Sequence, residues 1–138
     1  LERTTQAKRN IRYRRKKAEI KLMAYNNDNI FAKILNKKLS TEIIMENQHA
    51  IAFNDIAPQA PIHILIIPKG KYIKYDDFLN KASQEEIYHF FKLINKLVKD
   101  YNLENTGYRL ITNAGRNANQ EVPHLHFHLL AGQNLGKM

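Results

Sequence analysis

Residues 124–130 read His124-Leu125-His126-Phe127-His128-Leu129-Leu130, and this stretch holds half of the chain's six histidines. Polar and apolar residues alternate strictly, the pattern of a half-buried β-strand. Side chains two apart on a strand share a face. Three imidazoles are therefore expected along one surface, with Leu125, Phe127 and Leu129 in the core. A neutral imidazole is a nucleophile near pH 7, because its reference pKa is about 6.5. It is also a metal ligand, so the row admits two chemistries.

Geometry separates them. Strand rise puts the Cα atoms of His124 and His128 roughly 13 Å apart, whereas a zinc–nitrogen bond is about 2 Å. Neighbouring members could share an ion, but all three could do so only on a sharply bent strand. A further ligand would have to come from elsewhere, with His63 the candidate. There is no cysteine, and the carboxylates lack a ligand-like spacing to the row, although Glu121 is close in sequence. No metal and no cofactor are expected.

The elements that must position the row follow from local patterns. Asp28 or Asn29 caps a helix from about 29 to 38, with Phe31, Ile34 and Leu35 on one face. Residues 42–46 and 50–55 read as strands joined by a turn at Asn47-Gln48. Pro58 and Pro61 punctuate a loop, and 62–68 is an apolar strand interrupted by His63. Residues 70–77 read as a loop. Ser83 opens a helix to Leu97 or Tyr101, carrying Ile87, Phe90, Phe91, Ile94 and Val98 at helical spacing. Tyr108 to Asn113 is a fourth strand, 115–122 a polar loop, and the histidine row a fifth strand. Five strands with long-range antiparallel links give the α+β class.

A chain of 138 residues fits one domain, and no window approaches the ~20 apolar residues of a membrane helix. The net charge of +9 is unevenly spread. Residues 1–22 hold nine Lys/Arg and two Glu, a net of +7, so residues 23–138 are close to balanced. The expected organisation is a basic extension over 1–22, helical or a false start before Met23, and one domain over 23–138. The balance of the body argues against a nucleic-acid partner, although a basic run attracts phosphates.

The row does not stand alone. Ala52-Phe53-Asn54-Asp55-Ile56-Ala57-Pro58-Gln59-Ala60-Pro61-Ile62-His63 and its continuation to Lys69 resemble the nucleoside-binding hairpin of the histidine triad (HIT) family of nucleotidyl hydrolases and transferases. Tyr108 to Gly115 resembles the strand before that family's phosphate loop, and Gln120-Glu121-Val122-Pro123 its entry to the triad. Asn29 to Leu35 resembles its first helix. The resemblance runs from about 28 to 132 and is nearest to the Hint branch, the purine nucleoside phosphoramidases.

The resemblance implies a five-stranded antiparallel sheet with one long and one short helix. It also implies a homodimer formed around the long helix and the fourth strand, in the cytoplasm. Its activity would be hydrolysis of a purine nucleoside phosphoramidate at P–N, through a nucleotidyl-histidine, releasing AMP or GMP. A diadenosine polyphosphate hydrolase and a nucleotide-binding regulatory module are the alternatives. By resemblance His126 is the nucleophile, His128 donates to a phosphate oxygen, His124 orients the row and His63 assists proton movement. Asp55 takes the ribose. Phe31, Ile34, Phe53 and Ile56 are candidates for the purine slot, and equally for plain core. Asn113 and the backbone of Asn119, Gln120 and Glu121 hold phosphate oxygens. Three positions depart from the family, one of them Lys71, which replaces a histidine often found after the proline-lysine pair. Asn119 stands where many relatives have glycine, and it tolerates positive φ best among other residues. Glu121 replaces the serine of animal Hint proteins, and an ionised carboxylate cannot donate a proton to a leaving amine.

Overall fold

The structure, a computed structural model, describes the backbone of residues 2–22 and 24–138 and the side chains of 5–15 and 24–138. The basic extension is a helix, α1 (Glu2–Leu22), whose described side chains are all exposed. Next comes α2 (Ile30–Leu35), capped by Asn29, whose side chain accepts the Ala32 N–H at 2.8 Å. It is shorter than its apolar spacing predicts, because Lys37 takes a left-handed conformation at φ 59° and ends the turn.

The sheet contains β1 (Met45–Glu46), β2 (Ala50–Asn54), β3 (Ile62–Pro68), β4 (Arg109–Ile111) and β5 (Phe127–Ala131). Its order is β1-β2-β3-β5-β4 and every pairing is antiparallel. Asn47 forms the first turn by accepting the His49 and Ala50 amides through its side chain. The expected strand over 42–46 is reduced to two residues, although the Ile44 amide still reaches the Ala52 carbonyl.

Helix α4 (Gln84–Asp100) begins at a capping box between Ser83 and Glu86. It buries Phe90, Leu93, Ile94, Leu97 and Val98, while Ile87 and Phe91 lie at the edge of that contact. Two further short helices escaped the sequence pattern. Helix α3 (Tyr75–Lys81) replaces the end of the expected 70–77 loop, and α5 (Leu103–Thr106) is a single turn. Helix α3 has no side-chain cap at Lys74 and owes its place to Phe78, which is fully buried against Tyr72 and Phe90. Tertiary packing overrides weak local signals in this way. Among the described residues no helix is long and apolar enough to cross a membrane.

The two faces of the sheet bury different cores. One face sends Ala50, Ala52, Ile64, Ile66 and Leu129 against α4 and Phe78. The other packs Ile51, Phe53, Leu65 and Ile67 against Phe31 and Ile34 of α2. Leu125, Phe127 and Leu129 go to the first core, as their alternation predicts. The histidines belong to the second face. The row is not one continuous strand, however. Ladder pairing starts at Phe127, and His124, Leu125 and His126 precede it. Bonds from other segments take the ladder's place: Leu125 N–H donates to Tyr72 O at 2.7 Å, and the Thr112 hydroxyl donates to His126 O at 2.8 Å.

Candidate active site

Antiparallel register brings the site together. His63 lies opposite Leu130 and His128 opposite Leu65, so the two imidazoles are diagonal neighbours on one face. The Asp55 amide donates to the His63 carbonyl at 3.0 Å, which extends the β2–β3 ladder and sets the carboxylate beside His63. Phe31 meets His126 edge to face, with ring centres 4.9 Å apart, and so joins α2 to the row.

The hydrogen-bond partners assign a tautomer to each imidazole, since a carbonyl only accepts and an amide N–H only donates. Nε2 of His124 faces the Pro68 carbonyl at 2.9 Å and therefore carries the proton. Its Nδ1 accepts the Tyr25 hydroxyl at 2.7 Å. Nδ1 of His126 donates to the His124 carbonyl at 2.8 Å, leaving a lone pair on Nε2. Nδ1 of His63 accepts the Gln59 amide at 3.0 Å, so its Nε2–H points at Nδ1 of His128, 2.9 Å away. That N–H also lies 3.4 Å from Asp55 Oδ2. His128 then holds its own proton on Nε2. The row ends with one lone pair, on His126, beside one N–H, on His128, and the two rings are 5.2 Å apart.

The electrostatics keep the row neutral. Burial pushes His124 down to about 4, against the effect of its bond to Pro68. Burial, then the neighbouring His126 and His63, pushes His128 down to about 4. His126 is lowered by burial too, while Asp55 and Glu121 pull it back up. Ordinary water would leave part of such a row protonated and non-nucleophilic below pH 6.5. Here the row is not a solvent-facing surface: His124 is fully buried and His126 is 8% exposed.

Other expected site residues divide. Ile56 is 94% exposed beside Asp55, whereas Phe31, Ile34 and Phe53 are buried in the smaller core. Asn113 is half-buried just past β4. Asn119 adopts the left-handed conformation, φ 55°, that its replacement of glycine requires. Of the loop amides expected to hold phosphate, those of Asn119 and Gln120 are used within the loop, on Arg116 O and Gly115 O. The Gln120 side chain is also consumed, accepting Gly115 N–H and donating to Ile73 O and Val122 O. Of the three amides, that of Glu121 makes no such backbone bond. A hollow of about 630 Å³ at the far end of α2, lined by Ile34, Leu35, Ile51 and Lys69 among others, includes none of the histidines.

Asp55, His63 and His128 form the one metal-competent cluster among the described residues, with ligand atoms within 4.8 Å of one another. This is not the set that spacing within the row suggests. Its chemistry suits a proton better than a cation. A metal would need the Nε2 lone pair of His63, forcing a proton onto Nδ1 against the Gln59 N–H. Sequence reasoning also missed Tyr25, Thr112 and the Gln59 amide. None of them carries a motif signal, since each acts through a partner set by the fold.

A family model, the HIT domain, matches residues 36–135. The chain belongs to the HIT family. It is 50% identical over 111 residues to a HIT-like protein of Rickettsia prowazekii, covering 80% of this chain and 92% of that one. It is 36% identical over 111 residues to a protein of Escherichia coli K12 named purine nucleoside phosphoramidase, at the same coverage of each. Among solved structures, a HIT family hydrolase from Legionella pneumophila superposes with a TM-score of 0.73 at 35% identity, covering 79% of this chain and 96% of that one. A histidine triad protein from Clostridium difficile gives 0.72 at 37% identity, covering 83% and 99%.

Proposed function

We propose that this HIT protein is a hydrolase of purine nucleoside phosphoramidates, cutting P–N through a nucleotidyl-histidine on His126. One observation carries the reading: Nδ1–H of His126 is tied to the His124 carbonyl, which commits Nε2 to a lone pair. The name of the Escherichia coli relative supports the substrate class.

His126 Nε2 attacks the α-phosphorus as the P–N bond breaks, which splits one hard hydrolysis into two displacements. The positive charge that develops on the ring is stabilised by the His124 carbonyl and by the fields of Asp55 and Glu121. In this reading His128 Nε2–H and the Glu121 amide hold phosphate oxygens. His63 fixes the tautomer of His128 rather than meeting the leaving group, since both of its ring nitrogens have protein partners. No neutral member of the row can give up a proton without becoming an imidazolate. The substrate nitrogen therefore takes a proton from solvent before the P–N bond breaks and leaves as the neutral amine. The Glu121 carboxylate favours the cationic form that precedes departure. Water then attacks phosphorus, the P–Nε2 bond breaks, and the departing amine takes the water's proton. The products are an ammonium and the nucleoside monophosphate. Asp55 binds the ribose hydroxyls and Ile56 covers the base.

Glu121 disfavours a polyphosphate leaving group, which weighs against diadenosine polyphosphates. A regulatory nucleotide-binding module would keep the same pocket without turnover. We further infer a cytoplasmic homodimer joined near α4 and β4, whose outer strand edge exposes Tyr108 and Leu110. Mass spectrometry after mixing with an adenosine phosphoramidate is the test. An adenylate on His126 supports the reading, and binding without an adduct or turnover leaves the module.

A further inference from the structure

We propose that Tyr25 is a positioning residue for the nucleophile, acting through His124. The proposal rests on the assignment of His126 above. Tyr25 lies before the residues matched by the family model, which begin at 36, and 99 positions from the histidine it touches. Its neighbours Ala24, Asn26, Asn27 and Asp28 are all exposed, while Tyr25 alone among them turns inward. Its hydroxyl donates to Nδ1 of His124 at 2.7 Å, and its ring meets the imidazole edge to face at 5.6 Å.

His124 is fully buried and touches no solvent. Its Nε2–H is spent on Pro68 O, and the Tyr25 hydroxyl satisfies the remaining ring nitrogen. A nitrogen lone pair left unpaired in a dry site is costly. Without the hydroxyl, the ring must shift to find water or another donor. The backbone of His124 carries the consequence, because its carbonyl receives Nδ1–H of His126. A rotated carbonyl lets the His126 proton move to Nε2, and that tautomer has no lone pair facing the phosphorus. Tyr25 thus holds the nucleophile's tautomer at second hand. It contacts neither the substrate nor the reacting nitrogen.

The test compares Tyr25→Phe and Tyr25→Leu in the full chain with wild type. Steady-state kinetics use an adenosine phosphoramidate, and imidazole 15N NMR reports the tautomers. In wild type the His126 signals should show a protonated Nδ1. In Tyr25→Phe they should report mixed tautomers, with kcat reduced about tenfold and KM within about twofold. Tyr25→Leu should match Tyr25→Phe, because the hydroxyl and not the ring carries the effect. Wild-type kcat in Tyr25→Phe, with loss only in Tyr25→Leu, would reduce the role to packing and overturn the proposal. Reduced kcat with an unchanged His126 tautomer would overturn it too, as would parallel losses in kcat, KM and melting temperature. A wild type without turnover would count against the phosphoramidase reading, and the NMR comparison would still decide the role of Tyr25.

Discussion

His63 and His128 hold a single proton between them, with Nε2 of one 2.9 Å from Nδ1 of the other. The Gln59 amide decides its direction, because it occupies the far nitrogen of His63. The pair therefore delivers an N–H to the outer nitrogen of His128, beside the lone pair of His126.

The same pair governs the response to metals. Exhaustive chelation with EDTA should leave activity unchanged. Added zinc should inhibit, since a metal on Asp55, His63 and His128 removes both the shared proton and the carboxylate. Activity assays with and without chelator check this, and loss of activity on chelation that zinc restores would reverse the assignment.

Stability should fall in acid through His124. Its folded-state pKa is lowered, from 6.5 to about 4, so the unfolded chain binds the extra proton first. The contribution is complete above pH 6.5 and is lost as pH falls toward 4. It amounts to roughly 3 kcal/mol for a fully buried imidazole. Urea denaturation at pH 7 and pH 4.5 measures the loss. Burial lowers His126 and His128 too, so the acid limb of the pH–rate profile should lie below the range of a free imidazole.

His126→Gln should abolish turnover, by ~10³-fold or more, and no adenylate should be trapped. His126 also packs on Phe31, so a lower melting temperature should accompany the loss. Retained binding of a nucleoside monophosphate, measured by calorimetry, separates lost chemistry from lost fold.

Asp55→Asn keeps the turn that Asp55 closes on the Ala57 amide but removes the charge. It should raise KM roughly tenfold with a smaller change in kcat, because ribose bonds are equal in ground and transition state. A substrate lacking both ribose hydroxyls should bind the variant and wild type alike. A large residual difference there would mean that Asp55 serves His63 alone.

Deleting residues 1–22 should leave kcat and KM nearly unchanged while removing +7 of the +9 charge. Deleting residues 1–26 should reduce kcat, because it takes Tyr25. Phe31 is the first site residue expected from sequence, and the bond from Tyr25 to His124 extends the requirement back to residue 25. Paired kinetics on the two truncations check this.

Much of this protein is written in short-range pattern. The alternation over 124–130 sends Leu125, Phe127 and Leu129 to one core and the histidines to the other face. Asn29 and Ser83 start their helices as caps because the partner amides lie three residues on. Asn119 takes the left-handed turn because a short polar side chain tolerates it. Other features have no local cause. Helix α3 exists because Phe78 finds Phe90 and Tyr72. Leu125 and His126 leave the ladder because the Tyr72 carbonyl and the Thr112 hydroxyl offer them other bonds. Residue type and spacing determined that imidazoles would gather. Which nitrogen keeps a lone pair was decided by the tertiary fold, because a tautomer depends on the group facing each ring atom, and Tyr25, Pro68 and Gln59 reach those atoms from other segments of the chain.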